Sequence, residues 1–184
     1  MLGPILRGKL VTLRPPKPDE TKVFIEWLAD VEVTRYMLRR TPPALHEEEE
    51  FFKRIADSKD DVWWVIEVEN RAVGATGIHA IDWICAHAVT GIMIGDRSYW
   101  RRGVATEAMQ LRTAFAFREL NLHKLRTTAV VDNVGSQRAL EKAGYRTVGF
   151  YREEHWSDGA WHDMWIGEVL RDEWEREHER RDAT

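Results

Sequence analysis

The residues with the clearest chemical use lie between Tyr99 and Ala108, YWRRGVATEA, where two adjacent arginines and a glycine open a helical pattern. The first turn of a helix leaves N–H groups without intrahelical partners and carries a partial positive charge, so it offers an anion site. Gly103 and Ala105 leave that backbone uncovered, and Arg101 and Arg102 add cationic arms. An ion pair at about 4 Å is worth about 1 kcal/mol in bulk water and about 4 kcal/mol at an effective dielectric near 20, enough to help hold a partly sheltered diphosphate. The stretch matches neither GxxxxGK[ST] nor GxGxxG, and a solvated turn with two surface arginines is the plain alternative. Further along, DNVGSQRALEKAGY (Asp132–Tyr145) places Asn133 and Ser136 at the head of a second short helix. Asn133 fits an N-cap, and Ser136 a first-turn residue bonded to local backbone. The histidines show no close metal-ligand spacing, so no metal is expected.

These residues need elements to hold them. GKLVTLR (Gly8–Arg14) reads as a first strand, stopped by Pro15, Pro16 and Pro18. Asp19 then caps the amphipathic helix DETKVFIEWLAD, and HEEEEFFKRIADS forms a second helix with glutamates where the dipole favours them. VWWVIEV (Val62–Val68) is an apolar strand that folds back through Glu69-Asn70-Arg71 into AVGATGIHAI. VTGIMIG (Val89–Gly95) leads into the arginine loop, and Val104, Ala108, Leu111 and Phe115 recur on one face of the helix behind it. HKLRTTAVV gives another strand, and SQRALEKA a helix ended by Gly144. YRTVGFYRE and WHDMWIGEVL pair across Ser157-Asp158-Gly159. The tail, RDEWEREHERRDAT, reads as a frayed helix or a partly disordered segment. The order βααβββαβαββ predicts an α+β fold, a largely antiparallel mixed sheet with helices on both faces. One domain over residues 1–175 and a charged tail over 176–184 are expected.

Composition limits the function classes. The chain has 184 residues, 43% of them apolar and 32% charged, which suits one globular domain. A net charge of −4 argues against a nucleic-acid binder that works by phosphate attraction. Cys85 is alone, so no intrachain disulfide forms, and a cytoplasmic location is expected. No apolar run reaches the roughly 20 residues of a membrane helix, so no membrane partner is expected.

Taken together, GIHAIDW, TGIMIGDRSYWRRGVATEA and NLHKLRTTAVVDNVGSQRALEKAGYRTVGFYREE resemble the GNAT superfamily of acyl-CoA N-acetyltransferases, and within it the RimJ/RimL-like branch. The resemblance runs from about Leu6 to Trp174. It implies a twisted sheet of about seven strands with splayed central strands, acetyl-CoA as co-substrate, and a primary amine as acceptor. It assigns Trp100 to Ala105, with Arg101, Arg102, Gly103, Val104 and the following Thr106, to a pyrophosphate loop. Trp100 and Ala105 replace the family's usual Gln or Arg and its final Gly. Ile92, Met93 and Ile94 match the strand whose backbone meets the pantetheine arm, Asn133 the asparagine that bonds it, and Ser136 a small polar residue near the sulfur.

Two family features are missing. The tyrosine acid seven residues after the asparagine is Leu140, and the glutamate on the strand before the loop is Val89. An alkyl amine with a pKa near 10.4 still needs a base at neutral pH. His155, His79, Asp82 and Glu154 are the candidates, and His155, Ser136 and Asn133 form the expected catalytic set. Tyr36, His79, Asp82 and Trp83 are expected to face the acceptor. A GNAT-fold sensor that binds acyl-CoA without turnover is the second reading, and a nucleotide binder using the same helix terminus the third. The protein is expected to be a monomer or a homodimer.

Overall fold

A computed structural model describes residues 1–39 and 41–182. Among the described residues eight strands form one sheet: β1 (Leu6–Arg7), β2 (Thr12–Arg14), β3 (Val62–Val68), β4 (Arg71–Asp82), β5 (His87–Ile94), β6 (Lys124–Val130), β7 (Arg146–Ser157) and β8 (Ala160–Leu170). Their order is β1-β2-β3-β4-β5-β6-β8-β7. Every neighbouring pair is antiparallel except β5 with β6. The helices are α1 (Thr21–Ala29), α2 (Val31–Thr34), α3 (Leu45–Asp57), α4 (Val104–Arg118), α5 (Val134–Lys142) and α6 (Arg171–Asp182).

The sheet is covered on both faces because its strands alternate. On β3, Trp63 and Val65 pack with Phe24 and Trp27 of α1 and Ile55 of α3. Trp64 and Ile66 turn the other way, into the larger core with Val104, Ala108 and Met109 of α4. Turn chemistry marks the hairpins as expected. Glu69 and Asn70 carry positive φ between β3 and β4, and Asp158 and Gly159 do so between β7 and β8.

Three expectations are corrected. Gly8–Arg14 is not one strand: Gly8 N–H bonds the Val11 carbonyl at 2.8 Å, closing a turn between β1 and β2 and raising the strand count to eight. The Glu107 carboxylate of α4 holds that turn by accepting from the N–H groups of Lys9 (2.8 Å), Leu10 (2.7 Å) and Val11 (2.6 Å). Asp19 does not cap α1. A 3₁₀ turn over Pro18–Glu20 precedes it, and Glu20 accepts from Lys17 N–H while pairing with the buried Arg14. The buried face of α4 is also rotated from the predicted stripe: Ala108, Met109, Arg112, Thr113 and Ala116 are buried, whereas Leu111 and Phe115 sit at its edge. Residue 175 falls inside α6, whose Trp174 is buried with its ring centroid 5.6 Å from that of Phe117.

Candidate functional site

The site is built on the place where the sheet opens. β5 pairs with β4 along its length, from His79↔Val89 to Gly74↔Ile94. Its parallel pairing with β6 covers only His87↔Lys124 to Val89↔Arg126, after which the two strands diverge. This is the expected splay. Backbone groups on an extended strand point to alternate sides, and two bonds fix which side is which. Gly95 N–H donates to Val73 O on β4 (2.9 Å), and Thr90 O accepts from Thr127 Oγ1 on β6 (2.9 Å). Gly91 and Met93 therefore address β4, while Thr90, Ile92 and Ile94 present N–H and C=O to the gap. The Ile94 carbonyl takes the Trp100 Nε1–H at 2.9 Å, which ties the arginine loop to the same strand edge. Of the three residues expected to meet the pantetheine, Ile92 and Ile94 face the gap. Met93 instead packs into the aromatic core on the α1–α3 face.

A cavity of about 140 Å³ fills the gap, and Tyr36, Thr90, Ile92, Arg112, Asn133 and Ser136 are among its lining residues. Asn133 does cap α5, with its Oδ1 accepting from Ser136 N–H at 3.2 Å, so the capping role and the cavity position coincide. Leu140 also lines this space, and the tyrosine that does so is Tyr36, from just after α2. Beneath it, Arg112 is fully buried. Its Nη1 donates to Thr76 Oγ1 and to the Gly91 carbonyl, both at 2.8 Å, and its Nη2 reaches the Tyr145 hydroxyl at 3.4 Å.

The arginine loop continues from this strand edge. Arg101 (φ 60°) and Gly103 (φ 83°) are both left-handed, a backbone alternation that turns N–H groups toward a common concave side. The helix that follows leaves its first N–H groups free of intrahelical bonds. Arg101 and Arg102 are exposed, and Arg102 also lies 5.6 Å over the Tyr99 ring. Val104 is core, so it can serve only through its backbone, whereas Ala105 and Thr106 are partly exposed. These features fit a diphosphate and a pantetheine arm: a bare helix start with flanking cations, continuous with strand amides that lie beyond the last β5–β6 pair.

A second, larger cavity of about 930 Å³ lies on the α1–α3 face. Phe24, Phe51 and Trp63 form one wall, and Glu47, Glu48 and Glu50 of α3 another. Its floor is Gly77 and Gly91, which are paired across β4 and β5, and the His79 ring lies over them. Both cavities are lined by Gly91 and Ile92, so they meet at that peptide. His79 is held by Asp61, with Nδ1 3.4 Å from Oδ1. Burial lowers the His79 pKa below its ordinary value, opposed by Asp61 and assisted by Arg112. Burial alone would raise the Asp61 carboxyl, but the Ser58 hydroxyl, the Ala80 N–H and His79 together hold it below its usual value. Burial raises the Glu48 carboxyl, with Arg39 opposing.

Not every expected residue arrives here. His155 is buried in the β7–β8 arm, cross-paired with His162, and lines neither cavity. A bulge between Tyr151 and His155 shifts the strand register just before it. Asp82 is exposed at the end of β4 and folds the next turn by accepting from Ile84 and Cys85 N–H, both at 2.9 Å. Trp83 donates its indole N–H to Asp60 at 2.9 Å in the same region. Neither lines either of these two cavities, and Glu154 is exposed and lines neither of them. Sequence reasoning missed Arg112, Glu48 and Asp61. Arg112 left a trace, since it stands four residues after Ala108 and four before Ala116, a cation within an otherwise small and apolar stripe. Glu48 left none, being one of four consecutive glutamates. Among the described residues no group of His, Cys, Asp and Glu is arranged to hold a metal ion.

Comparison with known proteins bears on the family and the fold. Residues 11–146 match the model of the acetyltransferase (GNAT) domain. YjcK of Bacillus subtilis, a probable N-acetyltransferase, is 27% identical over 187 residues, covering 90% of this chain and 97% of that one. YdaF of the same organism, whose name assigns it provisionally to ribosomal N-acetylation, is 29% identical over 104 residues, 56% of each chain. In structure, the spermidine N-acetyltransferase of Vibrio cholerae in complex with CoA and spermine superposes with a TM-score of 0.84 at 20% identity, over 91% of this chain and 99% of that one. That likeness concerns the fold. The family match covers most of the sequence, and the chain belongs to the GNAT family of acetyltransferases.

Proposed function

We propose that this N-acetyltransferase moves an acetyl group from acetyl-CoA directly to a primary amine, with the amine and the thioester approaching from opposite faces of the sheet. The observation that carries this reading is the meeting of the two cavities at Gly91 and Ile92. The α4 terminus and the gap-facing amides of β5 hold the donor, and when bound it supplies an activated acetyl thioester. The Ile92 N–H, which faces the gap beyond the last β5–β6 pair, donates to the carbonyl oxygen as charge builds there. In other enzymes one such donor is worth about 2.7–4 kcal/mol.

On the other face, His79 is the base. Its lowered pKa keeps it neutral near pH 7, and Asp61 favours the tautomer with the proton on Nδ1. Nε2 then takes the proton as the amine nitrogen bonds to the carbonyl carbon. The carbon–sulfur bond breaks, the electron pair leaves on sulfur, and Ser136 or Tyr36 in the gap supplies the hydroxyl that meets it. The cavity with α3 glutamates and aromatic walls suits an amine on an apolar or extended body. Trp100 and Ala105 in the loop, together with the partial match to YdaF, support placement in the RimJ/RimL-like branch.

The test is thiol release from acetyl-CoA across a panel of polyamines, amino acids, amino sugars and N-terminal peptides. At least one amine should release coenzyme A with stoichiometric acetylated product, and His79→Gln should slow it about 10²–10⁴-fold. Tight acetyl-CoA binding with no thiol release for any amine supports the sensor reading instead.

A further inference from the structure

We propose that Arg112 is a positioning residue for acyl transfer: its buried guanidinium, bonded to the Gly91 carbonyl, polarises the Gly91–Ile92 peptide and strengthens the Ile92 N–H as a donor to the thioester oxygen. The inference rests on the reading of the gap as the thioester site.

Three observations carry it. First, Arg112 is 0% exposed, yet among the described residues no carboxylate pairs with it and its Nε has no hydrogen-bond partner. Its partners are neutral: Thr76, Gly91 and Tyr145. A buried guanidinium without a counter-charge is costly, and an apolar residue of similar volume commonly leaves a core as stable or more so. Packing alone gives no reason for an arginine in the stripe between Ala108 and Ala116.

Second, the bonds are aimed. The Gly91 carbonyl accepts from Arg112 Nη1 (2.8 Å) and from Thr76 Oγ1 (2.9 Å), while the Thr76 hydroxyl in turn accepts from Arg112. Two donors on one carbonyl, one of them charged, draw electron density from that peptide. Third, the described backbone contains no cis peptide, so the Ile92 N–H points away from the Gly91 carbonyl. That direction is the gap, where β6 has already diverged. The charge therefore acts at one edge of a rigid peptide plane, and the donor it sharpens points from the opposite edge. Tyr145 extends the frame by bonding Thr90 Oγ1 at 2.9 Å, which fixes the strand just before the reacting peptide.

The experiment compares wild type, Arg112→Met and Arg112→Lys by isotope-edited infrared spectroscopy of bound [1-13C]acetyl-CoA, with kcat, KM and Tm measured alongside. In wild type the thioester carbonyl band should move to lower frequency on binding. In Arg112→Met most of that shift should vanish and kcat fall about tenfold, with KM for acetyl-CoA changed less than about threefold and Tm unchanged or higher. Arg112→Lys, which keeps the charge and a donor, should recover part of the shift and of kcat. A folded Met variant with wild-type band position and kcat overturns the proposal, as does a fall in kcat with the band unmoved. If the Met variant does not fold, a Lys variant whose bound band equals that of free acetyl-CoA at wild-type kcat overturns it. If wild type itself neither binds acetyl-CoA nor releases thiol, the thioester reading of the gap fails and takes this inference with it, a result distinct from any difference between variants.

Discussion

Replacing Gly91 tests the two-faced geometry most directly. A Cβ built at Gly91 meets only the His79 ring, at 3.6 Å from Nε2 and 3.7 Å from Cδ2, and nothing else within 4 Å. These are ordinary contacts, and φ at Gly91 is not positive, so alanine fits without strain. Removing a glycine from the unfolded chain should add about 0.4–1 kcal/mol of stability. For a chain of this size that corresponds to roughly 1–4 °C in Tm. The catalytic consequence runs the other way. To give up its proton to Nε2, the amine nitrogen must come within about 2.6–3.2 Å of it and within about 3–3.5 Å of the carbonyl carbon. The new methyl occupies that corner and displaces the amine by about 1 Å, which is worth on the order of 10²-fold in rate. Gly91→Ala should therefore lower kcat about a hundredfold at unchanged acetyl-CoA affinity and equal or higher Tm. Steady-state thiol release, calorimetric titration with coenzyme A and a thermal melt measure the three quantities. A variant that binds coenzyme A normally and turns over within threefold of wild type would refute approach of the amine across Gly91.

Other outcomes follow from the same structure. Because burial depresses the His79 pKa and the working form is neutral, kcat/KM should fall on the acid side with a midpoint below 6.5. The groups facing His79 are Asp61, which opposes the shift, and Arg112, which assists it, so Asp61→Asn should move that limb further down and Arg112→Met should move it up; a pH–rate series reads both. The same depression makes the unfolded chain bind more protons in that window, so His79 should cost stability as pH falls from about 6.5 to the lower folded value, and His79→Gln should flatten the change in Tm there. Glu48 is 5% exposed with its carboxyl raised by burial, so its folded form loses stability as pH rises from about 4.3 through the raised value; Glu48→Gln should raise Tm at pH 7 while weakening KM for a cationic acceptor, and unchanged KM would place the acceptor elsewhere in the cleft. Glu107→Ala removes three charge-assisted bonds from the β1–β2 turn and, being partly exposed and non-additive, should cost about 2 kcal/mol, seen as a lower urea midpoint with little change in m.

The sequence alone determined what is local. Gly103 at a helix start, Asn70 and Gly159 in hairpin turns and Gly144 after a helix each occupy positive-φ positions, and a window of a few residues is enough to read them. The same holds for the apolar run of β3, whereas which β5 residues face the gap was decided by tertiary bonds, Gly95 N–H to Val73 O and Thr127 Oγ1 to Thr90 O. What only the tertiary structure decided is which side chains meet. The register that sets Gly77 against Gly91 places both beneath His79, and one residue of slip between the strands would put Gly91 on the face opposite Gly77 and His79. Which of four glutamates is buried depends on the rotation of α3 against α1 and β3, and β7 carries a register shift just before His155, which lines neither cavity. Arg112 meets Gly91 across 21 residues and Thr76 across 36. Such pairs form through packing between distant segments, and a periodic pattern along one helix shows only that a cation interrupts it, not which carbonyl the cation was placed to grip.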